Sequence, residues 1–200
     1  MRLAVLVGAK GRGSNLQAII EAVLSGHIDG EISIVIGSHR DAPALQIAAE
    51  AGVETVVVGT LNRTDEAYGA LLQSTIEKFG ADLVVLAGYM RKLPDAVTRT
   101  FSGRVINIHP SLLPHFSGQG MYGRRVHEAV LAAGVDQTGC TVHVVDGEYD
   151  HGAVIAQKQV CVRQGDTVDT LASRVLAAEH ALLVEVITDV CNRKIPLPIV

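Results

Sequence analysis

The chain is poor in cysteine, with three in 200 residues, and Cys140, Cys161 and Cys191 lie far apart with no C-x-x-C pair. That excludes a disulfide framework and a cysteine-rich metal site, and predicts three reduced, structural thiols. A basic excess is also missing. Seventeen Lys and Arg stand against 21 Asp and Glu, a net charge of -4, which offers no footprint for a nucleic-acid backbone or an anionic membrane. An anionic ligand must therefore be caught locally. No apolar run is long enough to span a bilayer, and the opening Met1–Val7 stretch carries no cleavage-site pattern, so the expectation is a cytoplasmic chain. No repeat, low-complexity tract or linker divides the sequence. With 48% hydrophobic residues it can bury one substantial core, and a single domain over residues 1–200 is expected.

Val-, Ile- and Leu-rich runs recur at Leu3–Val7, Ile32–Ile36, Thr55–Val58, Leu83–Leu86 and Val105–Ile108. Between them lie stretches of helical spacing, from about Asn15 to Leu24, Pro43 to Ala51, Thr64 to Phe79 and Pro94 to Thr100. The alternation predicts β-α-β units and a doubly wound α/β fold with a parallel sheet covered on both faces. Pro43 and Pro94 suit first-turn helix positions, where a missing N–H costs nothing. From Pro110 to Arg125 proline and glycine break all periodicity, which predicts a long functional loop. A helix near Arg124–Ala133, strands at Gly139–Val145 and Val154–Val162, and a terminal helix near Asp166–Cys191 complete the reading.

Two places carry candidate chemistry. Gly8-Ala9-Lys10-Gly11-Arg12-Gly13-Ser14-Asn15 joins the first strand to the first helix, where backbone N–H groups and a helix N-terminus face an anion. The spacing matches neither the P-loop nor the dinucleotide fingerprint. A monophosphate site is one reading, and a plain turn with Ser14 or Asn15 as N-cap is the other. Asn107 and His109 sit two apart at the end of the fifth strand, so both side chains point to one face at the carboxyl edge, where such sheets bind ligands. An amide donor beside an imidazolium can stabilise an oxyanion, and the histidine can move protons; a merely hydrogen-bonded structural histidine is the alternative. Ser111-Leu112-Leu113 reads as a packed turn. His115, His127, His143 and His151 cluster near His109 in sequence but lack the i, i+4 pair of a zinc protease, so no metal is expected.

The segment Asn107-x-His109-Pro110-Ser111-Leu112-Leu113-Pro114 resembles the signature of the 10-formyltetrahydrofolate-dependent formyltransferases. Further stretches resemble the branch acting on 5-phosphoribosylglycinamide (GAR). They are Gly11–Gln17, Leu86–Arg91, Thr138–Val145, the Asp150-His151-Gly152 turn and Glu179-His180. Two loops depart from that pattern: Gly8–Gly13 is about two residues longer, and Gly118–Gly123 is expanded.

The resemblance implies a mostly parallel, seven-stranded Rossmann-like sheet. Residues 1–100 would form a phosphate-binding half and 101–200 a folate-binding, catalytic half. It implies formyl transfer from 10-formyltetrahydrofolate, a co-substrate, to the GAR amine, with Asn107, His109 and Asp150 as catalytic residues. Gly11, Arg12, Gly13, Ser14, Asn15 and Glu179 would hold the phosphate and ribose. Tyr89, Met90, Arg91, Leu93, Val97, Asn107, His143, Val145 and Asp150 would surround the folate. A carboxylate near His109 favours the charged imidazolium and can relay a proton through water. The alternatives are a formyltetrahydrofolate hydrolase, expected to carry an extra N-terminal regulatory domain, and an inactive folate- or nucleotide-binding module. A tRNA formyltransferase would need a further tRNA-binding domain and more positive charge. The expected partners are small molecules only, without nucleic acid or membrane, on a monomer or weak homodimer.

Overall fold

The computed structural model describes residues 1–199. One seven-stranded sheet runs through them, built from β1 (Arg2–Val7), β2 (Glu31–Gly37), β3 (Thr55–Val57), β4 (Leu83–Ala87), β5 (Val105–His109), β6 (Gln137–Val144) and β7 (Val154–Cys161). Its order is β3-β2-β1-β4-β5-β6-β7. The first five strands pair in parallel, and β6 and β7 are antiparallel additions. The helices are α1 (Ser14–Leu24), α2 (Pro43–Glu50), α3 (Asp65–Lys78), α4 (Asp95–Thr100), α5 (Arg124–Ala133) and α6 (Val168–Cys191).

Period-2 alternation explains how the sheet is sandwiched. Leu3, Val5 and Val7 of β1 face one core with Leu16 and Ile19 of α1 and Leu182 and Val186 of α6. Ala4 and Leu6 face the other, with Leu72 and Ile76 of α3 and Val97 of α4. Chain order reverses at β1, since β2 lies on one side and β4 on the other. Such a switch opens a crevice at the carboxyl ends of the strands.

Helix starts differ in two details from the sequence reading. Pro43 takes the first helical position as expected, whereas Pro94 is the residue before α4, at its N-cap. The N-cap of α1 is Gly13, at φ +79°, and no side chain caps that helix; Ser14 is already helical. A Cβ at Gly13 would lie 2.9 Å from Ala44 Cα, so close packing against α2 as well as the left-handed backbone requires glycine.

The loop after β5 is anchored by buried hydrogen bonds. The Thr141 hydroxyl donates to Ser111 O at 2.7 Å and accepts from Leu113 N at 3.1 Å and Gln157 Nε2 at 2.9 Å. Ser111 Oγ donates to His115 O at 2.6 Å, which makes Ser111 the packed turn residue anticipated. Thr141→Val keeps the shape but strands a buried N–H and a buried carbonyl. We expect it to cost about 3 kcal/mol, read as a lower urea midpoint; a loss below about 1 kcal/mol would show that the loop is held elsewhere.

Candidate active site

A cleft of about 890 Å³ opens at the carboxyl ends of β4 and β5, beneath the loop preceding α5 and against the first half of α6. His109 is 4% exposed and is held from both sides. Its Nε2 lies 2.9 Å from Phe116 O and its Nδ1 3.4 Å from Asp150 Oδ1. Both ring nitrogens thus face oxygen acceptors, an arrangement satisfied by a proton on each. Asp150 comes from the β6–β7 loop, at φ +53°; aspartate tolerates this left-handed region better than most residues. Two residues on, a Cβ at Gly152 would overlap the Val144 carbonyl, so the turn closes only with glycine there. The second oxygen of Asp150 accepts from Gly118 N at 3.0 Å, tying the loop before α5 to this carboxylate.

Asn107 belongs to the same cluster through a residue on the neighbouring strand. In the antiparallel register Asn107 pairs with His143, and Asn107 Nδ2 stands 3.1 Å from His143 Nε2. His143 Nδ1 lies 2.8 Å from Val144 O. A carbonyl only accepts, so Nδ1 carries the proton, and in the neutral ring Nε2 accepts from the Asn107 amide. Burial pushes the His143 pKa down, which agrees with a neutral ring. One N–H of Asn107 is thereby spent on His143 and the other is left for a ligand. A register shift between Val142 and His143 against β7 marks an irregularity of the kind found beside active sites.

At another part of the cleft Asn15 Nδ2 donates to Glu179 Oε2 at 2.9 Å, joining the first turn of α1 to α6. Asn15 Oδ1 is buried and unpartnered. Burial pushes the Glu179 pKa from 4.5 up to about 7, against the opposing effect of the Asn15 bond. A raised carboxyl pKa means the folded state holds the proton more tightly than the unfolded chain. The cost of ionising Glu179 is therefore absent below about pH 4.5 and complete above about pH 7, reaching about 3 kcal/mol. Glu179→Gln should stabilise the protein by that order near pH 8 and leave it unchanged near pH 4. Urea titrations at the two pH values test this, and equal shifts at both would contradict it.

The structure brings most of the sequence candidates to this one cleft. Asn107, His109, His143, Val145 and Asp150 line it, as do Tyr89, Met90, Arg91 and Leu93 from the segment after β4, and Arg12, Asn15 and Glu179. Gly11 and Gly13 stand in the adjoining loop and Ser14 opens α1, and none of the three is among its walls. Val97 is fully buried in the second core with Leu93 and Tyr89, so it supports that wall from behind. The sequence signal for this was thin, since Ala96 and Val97 are the only apolar residues of the six in α4. Among the described residues no cluster of three or more His, Cys, Asp or Glu is placed to hold a metal, and no helix is long and apolar enough to cross a membrane.

Sequence reasoning missed several wall residues. Asp169, Ser173 and Leu176 of α6 line the cleft with Glu179, and their spacing of three to four residues was a readable stripe beside the buried Leu171, Val175, Leu182 face. Tyr68 of α3 hydrogen-bonds the Tyr89 hydroxyl, and burial raises both phenol pKa values. Arg125 stacks on Tyr122 with 5.2 Å to the ring centroid, and both line the cleft with His127.

The Formyl transferase family profile matches residues 1–187. The chain is 38% identical over 196 residues to the chloroplastic phosphoribosylglycinamide formyltransferase of Arabidopsis thaliana, covering 97% of this chain and 66% of that protein. It is 39% identical over 183 residues to the phosphoribosylglycinamide formyltransferase of Escherichia coli (strain K12), covering 91% of this chain and 83% of that one. The chain thus spans just under two thirds of the plant relative's length. Glycinamide ribonucleotide transformylase 1 from Symbiobacterium toebii has a similar structure, with a TM-score of 0.91 and 37% identity over 98% of this chain and 90% of that one.

Proposed function

This chain belongs to the formyl transferase family, and on that premise we propose that it transfers the formyl group of 10-formyltetrahydrofolate to the amino group of 5-phosphoribosylglycinamide. The observation that carries the reading is the convergence of Asn107, His109 and Asp150 in the same cleft as the Asn15–Glu179 pair. One set suits an acyl carbon that becomes an oxyanion, the other a hydroxylated, phosphorylated acceptor.

The acceptor amine attacks the formyl carbon, and the carbonyl oxygen takes up negative charge. Asn107 has one N–H left for that oxygen because His143 holds the other. His109 supplies a second donor. Its 3.4 Å separation from Asp150 is longer than a tight charge-assisted bond of about 2.7–2.9 Å, so Nδ1 can turn toward a bound oxygen. Asp150 stabilises the protonated ring as it does so. Breakdown breaks the bond from carbon to folate nitrogen, and that nitrogen receives a proton from His109 or from a water held by Asp150. No side chain becomes covalently attached.

The N-terminal half, with Arg12 and the uncapped start of α1, receives the phosphate, and Glu179 accepts from ribose hydroxyls. The walls from Tyr89 to Leu93 and from Val145 to Asp150 surround the pterin. Turnover of 10-formyltetrahydrofolate with and without GAR tests the assignment. Formyl loss that depends on GAR and yields formyl-GAR is expected. Loss independent of GAR would make the protein a hydrolase, and no loss in either case would make it a binder.

A further inference from the structure

Three histidines line the cleft: His109, His127 and His143. Two have both ring nitrogens engaged, His109 by Phe116 O and Asp150, and His143 by Val144 O and Asn107. His127 is different. It sits in the first turn of α5 at 5% exposure, and its Nδ1 is buried with no hydrogen-bond partner among the described residues. A polar ring so placed in a packed interior is expected to be bonded. Its freedom on the wall of a reaction cleft therefore asks for a ligand.

We infer that His127 is the proton acceptor for the attacking amine. This rests on the formyl-transfer reading above and adds a residue to it. The surroundings of His127 favour the neutral ring. Its Nδ1 has no hydrogen-bond partner among the described residues, the N-terminal end of α5 presents positive potential, and burial followed by the nearby His109 lowers its pKa. The charged groups on the adjoining cleft walls are His109 at the end of β5, Arg124 and Arg125 on α5, and Asp169 and Glu179 on α6, and Glu179 already accepts from the Asn15 amide. Arg124 takes up the Asp169 carboxylate, so that acid is not available to His127. The cleft thus holds one histidine between two oxygen acceptors and one with none, environments that favour opposite protonation states and assign acid to the first and base to the second.

The proton accounting closes. The amine lone pair forms the new C–N bond, and the carbonyl pair moves onto oxygen. The nitrogen, now cationic, passes one proton to the unprotonated nitrogen of His127. The oxyanion pair re-forms C=O as the bond to the folate nitrogen breaks, and that nitrogen is protonated from His109. The net internal change is one proton moved from His109 to His127, reversed through solvent before the next turnover.

The test compares the wild type with His127→Ala and His127→Asn under saturating GAR and 10-formyltetrahydrofolate, across pH, with and without added imidazole. We expect kcat to fall about a hundredfold with little change in either KM. We also expect imidazole to restore much of the alanine variant's rate, and the acid limb of the kcat profile to change in the asparagine variant. A merely structural histidine would show neither rescue nor an altered acid limb. Near wild-type kcat in both variants, or a loss that imidazole leaves untouched in a variant with wild-type melting, would overturn the role of His127. Should His127→Ala fail to fold, the acid limb of His127→Asn decides. A wild-type protein that forms no formyl-GAR would instead remove the underlying reading, so the two failures are told apart.

Discussion

Replacing His109 with alanine should lower kcat for formyl transfer about 10²–10³-fold. In the proposed mechanism the ring is one of two donors, with Asn107, to the oxygen on which negative charge develops. His143, its nearest chemical equivalent, has one nitrogen on Val144 O and the other on Asn107. His109 also holds Phe116 O at 2.9 Å, so the substitution unties the loop as well. His109→Asn separates the two effects, since an amide can still donate to a carbonyl but cannot carry a transferable proton. The alanine variant is expected to lose rate and some stability, and the asparagine variant chiefly rate. Rapid-quench turnover with a urea midpoint on each variant makes the measurement. Near-normal turnover in purified His109→Ala would remove this residue from the mechanism.

Asp150→Asn should cost about 10²–10⁴ in kcat. The change is nearly isosteric, and a side-chain oxygen remains to accept from Gly118 N, as Oδ2 does at 3.0 Å. What disappears is the negative charge 3.4 Å from His109 Nδ1 and a site to pass a proton to water. A fall in kcat with folate affinity largely kept is the expected signature, because the loss is felt in the charged transition state rather than in the bound complex. The double variant His109→Ala/Asp150→Asn should be barely slower than the worse single one, since residues acting as a unit are not additive. Multiplying penalties would mean that the two act independently, against the contact seen between them.

Much of this architecture was legible in the chain. Runs such as Leu3–Val7 and Leu83–Leu86 declared buried parallel strands, because a strand covered on both faces has no polar side to show. The two-residue spacing of Asn107 and His109 placed both on one face of β5 at its carboxyl edge. The family resemblance, rather than spacing, drew Asp150 and Glu179 into the site. Val97 shows the limit of such transfer: it sits behind the Tyr89–Leu93 wall of the cleft, packed in the second core with Leu93 and Phe101.

Local pattern determined the strands, the helices, the disordered periodicity of the loop after β5 and the edge of the sheet where chemistry would gather. These follow from nearest-neighbour geometry, in which each residue's side is set by a period of 2 or 3.6. Tertiary structure alone decided that Asn107 would meet His143 across 36 residues, that Asn15 would meet Glu179 across 164, and that His127 would line the cleft with its Nδ1 buried and unpartnered. Those outcomes depend on strand register, on an irregular step at Val142/His143 and on how α1, α5 and α6 pack together. They are set by burial summed over the whole core, and no single segment encodes that sum.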